Sequence, residues 1–195
     1  MQVLLVLAHP NADSFNHAVA ARARTALEAV GHTVTVLDLY ALGVPAAMSA
    51  DEHRAYHSDN PVVDPLVAEH IELVKTTEAM VFVYPTWWSA QPAILKGWLE
   101  RVMVPGVGFV FNAREKVRPG LGHVHRIVGI STYGSPRSYV RLINDNGRRT
   151  LMRAMRLNTS LRTRTKWLGL YAIDTATDVR RGAFLDRVER TMRAL

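Results

Sequence analysis

The chain has 195 residues, 48% of them hydrophobic and 21% charged, which suits one globular domain and excludes a disordered or fibrous chain. It contains no cysteine, so disulfide frameworks, thiolate zinc sites, iron–sulfur clusters and cysteine nucleophiles are excluded and a reducing compartment is expected. The formal charge is +7, from 24 basic residues against 17 acidic ones, an excess that favours anionic partners.

Val3 to Ala8 is an unbroken apolar run closed by His9-Pro10, the pattern of a strand buried on both faces of a parallel sheet. Phe15, Val19, Ala23 and Leu27 then recur at helical spacing until Gly31 stops them. Thr33 to Leu39 reads as a second strand, rich in β-branched residues, followed by the loop punctuation of Gly43 and Pro45. Ser49-x-x-Glu52 has the form of a capping box opening a short helix, and Asp64-Pro65 supplies the N-cap and first-turn proline of another. Leu66, Val67, His70, Ile71 and Val74 make the buried stripe of that second helix. Ala79 to Tyr84 is a third buried strand. The helix opened by Pro92 turns Ile94, Leu95, Trp98, Leu99, Val102 and Met103 inward and Lys96, Glu100 and Arg101 outward. Arg126 to Ser131 reads as a fourth strand, a weakly bounded helix falls between Tyr139 and Leu157, and Trp167 to Ile173 reads as a fifth strand. Arg180 to Leu195 closes as a helix with Phe184, Leu185, Val188 and Met192 facing inward.

Five strands alternating with helices predict one α/β domain over residues 1–195, a five-stranded parallel sheet between two helical layers joined by right-handed crossovers. In the strand order 2-1-3-4-5 ligands bind beyond the carboxyl ends of strands one and three, where the order reverses. The loops His9 to Asn16 and Pro85 to Gln91 then flank the site, with Thr132 to Ser138 beside them. No apolar stretch reaches the roughly 20 residues of a membrane-spanning helix, since Ala79 to Leu95 is broken by Pro85, Gln91 and Pro92. Without a readable secretory signal the expected location is the cytoplasm.

Those three loops hold the unusual chemistry. The first, A-H-P-N-A-D-S-F-N, ends at a helix start, where unpaired N–H groups and the helix dipole favour an anion. Ser14, Asn16 and His9 add donors, although Ser14 and Asp13 would equally serve as caps. The chain has neither G-x-G-x-x-G nor G-x-x-x-x-G-K-[ST], which argues against a classical dinucleotide fold and a P-loop. In the second loop, Y-P-T-W-W-S-A-Q-P, adjacent tryptophans cannot both face one core, so at least one meets solvent or a flat ligand. The third, S-T-Y-G-S-P, fails the G-x-S-x-G pattern of a nucleophile elbow at Tyr133. Seven basic residues from Arg148 to Lys166 form either a solvated face or a phosphate site. A nucleic-acid partner is not expected, because that patch lacks interleaved aromatics. His53 with His57 and His123 with His125 have metal-compatible spacing but no third ligand, so no metal is expected. Asp38 reads as a turn cap.

The stretch Tyr84 to Val102, with P-T-W-W-S-A-Q-P-A-I-L-K-G-W-L-E-R-V after the tyrosine, resembles the central signature of the flavodoxin-like NAD(P)H:quinone oxidoreductases. His9, the Ser14-Phe15-Asn16 run and Val36-x-Asp38-Leu39-Tyr40 support the likeness, which runs from Met1 to about Tyr139. The resemblance implies a flavodoxin-like three-layer sandwich and a homodimer with FAD or FMN near the subunit interface. It implies hydride transfer from NAD(P)H to quinones or similar flat acceptors by a ping-pong scheme. By matching position, His9, Ser14, Phe15 and Asn16 hold the flavin phosphate. Pro85, Thr86, Trp87, Trp88, Ser131, Thr132, Tyr133 and Gly134 line the ring, and Tyr139 lies at its edge as the expected catalytic tyrosine. Two positions depart from the family: Tyr133 replaces the first glycine of a frequent pair, and Asp145 stands where the mammalian enzymes carry a histidine linked to proton handling. A flavin-binding ancillary subunit acting through a partner, such as a potassium-efflux system, is the alternative reading.

Overall fold

A computed structural model describes residues 1–58 and 60–195, and its elements follow one another as the hydrophobic pattern dictates. β1 (Gln2–Leu7) leads into α1 (Phe15–Glu28) and β2 (Thr33–Asp38). The short α2 (Ala50–Ala55) and α3 (Pro65–Thr76) precede β3 (Ala79–Thr86) and α4 (Ala93–Val102). A small antiparallel hairpin, β4 (Phe109–Phe111) with β5 (Val117–Pro119), comes before β6 (Arg126–Tyr133). α5 (Arg137–Leu142) and α6 (Asn146–Arg149) run into one π-helical turn at Thr150–Met155. β7 (Arg164–Leu170) and α7 (Asp178–Arg193) complete the domain.

The main sheet has the order β2-β1-β3-β6-β7, all parallel, which is 2-1-3-4-5 once the separate hairpin is set aside. Alternation along the strands divides the core. Leu4, Val6, Met80, Phe82 and Tyr84 pack with α3 and α4 through Ile71, Leu95 and Trp98. Leu5, Leu7, Val81, Val83 and Ile130 pack with α1 and α7 through Val19, Leu27, Phe184 and Val188. In register, Leu7 pairs with Asp38 and Val83, and Thr86 with Tyr133, so the strand tips end at one level and their loops meet.

The caps form as read: Ser49 and Glu52 make a reciprocal capping box, and Asp64 accepts the Leu66 N–H. Four expectations need correction. The helix between Tyr139 and Leu157 is three short pieces, because Asn144 and Asp145 adopt left-handed backbone (φ 70° and 43°) and break it. The fifth strand begins at Arg164 instead of Trp167 and ends at Leu170, before the left-handed Ala172 (φ 51°). As an edge strand it tolerates Arg164 and Lys166, which hid its start. The hairpin was missed because three-residue strands carry almost no periodicity.

Arg101, expected on the solvent face, is 4% exposed. Its Nε donates to Glu52 Oε1 at 2.6 Å, one terminal nitrogen donates to the Pro45 carbonyl at 2.9 Å, and the other pairs with Asp64. One guanidinium thus ties α4 to the caps of α2 and α3. Gly97 permits that approach, since a Cβ there would lie 1.8 Å from the Ala46 carbonyl oxygen. Among the described residues, no helix is long and apolar enough to cross a membrane.

Candidate functional site

At the carboxyl edge of the sheet, α1 begins at Phe15 with Ser14 as its N-cap, so the amides of its first turn have no acceptor within the helix. Ser14 Oγ accepts from the His17 N–H at 3.4 Å and lies 3.0 Å from His17 Nδ1. His17 Nε2 is 3.1 Å from Asp38 Oδ2, and Asp38 also accepts the Tyr40 and Ala41 amides, the turn-capping role expected of it. A hydroxyl, an imidazole and a carboxylate therefore hold the helix start in a fixed posture. The Ser14-x-x-His17 spacing, one helical turn, was the signal that could have revealed this chain.

Asn16 is buried; its amide nitrogen donates to Thr132 Oγ1 at 3.1 Å, while its oxygen has no partner among the described residues. That free end is an acceptor, which a ligand hydroxyl would complete, whereas an anion would be held by the open N–H groups of the helix start. Phe15 points the other way and packs its ring 6.2 Å from Phe184, so it offers the site only its backbone N–H. His9 Nδ1 accepts the Asn11 N–H at 3.1 Å. Burial lowers the His9 pKa, opposed by its backbone partner at Asn11 and by Asp38 and helped by His17.

In the second loop, Pro85 and Thr86 extend β3, and Thr86 Oγ1 lies 2.9 Å from Ser131 Oγ. Trp87 and Ala90 exchange both backbone hydrogen bonds, at 3.1 and 3.0 Å, around Trp88 and Ser89. Both turn residues have positive φ, 46° and 63°, where glycine and asparagine are usual. Strain of this kind concentrates where a side chain must be presented to a ligand. The strained residue is also the unpacked one, for Trp88 is wholly exposed. Trp87 sits 6.0 Å from the His9 ring and joins the first two loops.

The third loop brings Ser131, Thr132 and Tyr133 to the site as the buried end of β6, followed by exposed Gly134. The Tyr133 ring stacks on Tyr171 at 4.6 Å and donates its hydroxyl to Asp145 Oδ2 at 2.9 Å. Burial pushes the Tyr133 phenol far above its usual range, and the Asp145 carboxylate adds to the effect. The departure at Tyr133 and the departure at Asp145 are thus two ends of one hydrogen bond, which no local pattern could reveal. Thr86, Trp88, Tyr133, Gly134, Tyr139 and Asp145 line a cavity of about 250 Å³, with Tyr139 half exposed at its rim. Of the residues expected around the ring, Thr86, Trp88, Tyr133 and Gly134 line this cavity and Pro85, Trp87, Ser131 and Thr132 do not, while His9, Ser14 and Asn16 lie at the start of α1 and in the loop before it.

His123 Nε2 lies 3.0 Å from the Val74 carbonyl at the end of α3, a capping contact. Among the described residues, no group of three or more histidines and carboxylates is arranged around a metal position.

A family model described as "flavodoxin-like fold" matches residues 1–161. The chain belongs to that flavodoxin-like family. This flavodoxin-like chain is 29% identical over 153 residues to NAD(P)H dehydrogenase (quinone) 1 of Cavia porcellus, covering 71% of this chain and 55% of the relative. It is 33% identical over 125 residues to human ribosyldihydronicotinamide dehydrogenase (quinone), covering 55% of this chain and 53% of the relative. The chain therefore spans about half the length of the curated relatives it matches. Among solved structures, an NAD(P)H:quinone oxidoreductase from Methanothermobacter marburgensis superposes with a TM-score of 0.81 at 25% identity, covering 99% of this chain and 96% of the other. A protein of Streptococcus mutans superposes with a TM-score of 0.85 at 26% identity over the whole of both chains.

Proposed function

We propose that this protein is a flavin-dependent oxidoreductase that carries electrons from NAD(P)H to quinones or similar flat acceptors, with FAD or FMN as its cofactor. The net reaction is NAD(P)H, a proton and a quinone giving NAD(P)+ and the hydroquinone. A bound flavin supplies the hydride-accepting and hydride-donating ring; the protein supplies position, charge and exclusion of water. The observation that carries the reading is the open first turn of α1, beside a cavity whose wall is the strained, unpacked Trp88. Two features of one molecule fit there: an anionic tail at the helix start and a flat ring against the indole.

In this reading Ser14, His9, the second N–H of the Asn16 side-chain amide and the Phe15 backbone amide hold the phosphate, and the α1 dipole adds about 0.3–1 kcal/mol. Pro85, Thr86, Trp87, Trp88, Ser131, Thr132 and Gly134 seat the ring. Tyr133 belongs to the wall, and its proton stays on the phenol because Asp145 already accepts it. Tyr139, half exposed at the rim, is then the hydroxyl placed to give a proton to the acceptor. One cavity serves donor and acceptor in turn, so the kinetics are ping-pong, and double-reciprocal lines that intersect would contradict this. The exposed Phe111 and Val117, paired across the hairpin, support assembly as a homodimer through an apolar contact. The same reading places the protein in the cytoplasm, where NAD(P)H is supplied. The test is the visible spectrum of the purified protein after incubation with FMN and FAD, followed by turnover of NADPH with a soluble quinone. A folded preparation that stays colourless and inactive would reject it.

A further inference from the structure

Beside the redox cavity lies a second, larger concavity of about 710 Å³, lined by Arg137, Arg141, Arg148, Arg149, Arg153 and Arg156. Val140 and Asp145 line both cavities, so the two share a rim. Among the described residues, none of the six guanidiniums takes part in an ion pair, although ion pairs are frequent elsewhere on the molecule. The one carboxylate in the groove, Asp145, is already engaged by the Tyr133 hydroxyl and the Arg148 amide. Six like charges in one depression repel one another, a cost that falls away when an anion enters. The backbone is also unusual here: the left-handed turn at Asn144 and Asp145 folds the segment back, and the π-helical turn carries Arg153. Such π turns recur at functional sites.

We infer that this groove binds the phosphates of the nucleotide donor and selects the dinucleotide that carries a 2′-phosphate, NADPH, over NADH. The inference rests on the proposed oxidoreductase function, because it is the nicotinamide end of the donor that must reach the adjoining cavity. From there the charged tail must cross the shared rim, and the groove lies on that path. A 2′-phosphate adds about −1.5 to −2 charge and three acceptor oxygens, and a guanidinium presents paired N–H donors that match them. A pyrophosphate alone leaves several of the six arginines without a partner.

Calorimetric titration of the full chain with 2′,5′-ADP and with 5′-AMP tests this, since neither probe requires flavin or turnover. One charge-assisted phosphate contact makes the bisphosphate bind about tenfold tighter or more. That preference should collapse toward unity in the double variant Arg149→Gln, Arg153→Gln and as salt is raised. Thermal unfolding guards against a misfolded variant: with like-charge repulsion relieved, the double variant should melt at or above the wild type, and 2′,5′-ADP should raise only the wild-type Tm. Equal binding of the two probes, or a preference that survives in the variant, would overturn the inference. Salt-sensitive retention of a single-stranded oligonucleotide without discrimination between the probes would overturn it in favour of a nucleic-acid surface. If the probes discriminate and the protein still binds no flavin, the groove stands and the oxidoreductase reading falls.

Discussion

Arg101 and the arginines of the groove carry the same side chain in opposite settings. Arg101 is buried, and each of its nitrogens donates to a carboxylate or carbonyl, so its charge serves to join α2, α3 and α4. Among the described residues the six groove arginines make no ion pair, so their charge remains available to a ligand. A paired buried charge holds a fold, whereas a crowd of unpaired ones weakens it slightly until an anion arrives.

Breaking the paired member should have the largest effect. Arg101→Met leaves Glu52 and Asp64 without their cation and should cost about 3–5 kcal/mol, read as a lower midpoint in urea unfolding. The same pair makes a pH test. Burial alone would raise the Glu52 carboxyl, but the Ser49 amide and Arg101 outweigh it and hold the pKa below the usual 4.5; Asp64, likewise, is held below 3.8. Folded values below unfolded ones mean that this stabilisation is complete above those ordinary values and drains away as pH falls through the lower folded ones. Acid unfolding of the wild type should therefore be steeper than that of Arg101→Met, and parallel acid limbs would show that the cluster is not the origin.

Gly97→Ala probes the same junction by shape alone. Its methyl meets the Ala46 carbonyl, and a loss of about 1–3 kcal/mol follows if the helix must back away. At the proposed site, Asn16→Leu removes the side-chain N–H assigned to the phosphate and should weaken FMN about tenfold, the value of one hydrogen bond to a charged group, while riboflavin binding changes little. The smallest effect belongs to the unpaired arginines: Arg141→Gln should leave stability unchanged or raise it by about 0.2–0.5 kcal/mol. A loss comparable to that of Arg101→Met would erase the contrast between the two settings.

Much of the sheet is legible in the chain because Val3 to Ala8 and Ala79 to Tyr84 are too apolar to lie anywhere but between two helical layers. The capping residues Ser49 and Asp64 are legible because their partners lie within three positions. The three loops follow from the strand order, and the exposed tryptophan from the impossibility of burying two neighbours on one side. What was hidden depends on distant partners. Arg101 finds Glu52 across 49 positions, Asn16 finds Thr132 across 116, and Tyr133 reaches Asp145 through a left-handed turn. The arginine groove was legible only in part, since Arg148, Arg149, Arg153 and Arg156 belong to the charge run while Arg137 and Arg141 join them across the break at Asn144 and Asp145, and Arg162, Arg164 and Lys166 lie outside it.

Titration of the flavin-free protein with FMN, FAD and riboflavin, read by flavin fluorescence, bears most directly on the proposed seat for tail and ring. Both phosphorylated forms should bind at least about tenfold tighter than riboflavin. Equal affinity for all three, or no binding by a folded protein, would contradict the account.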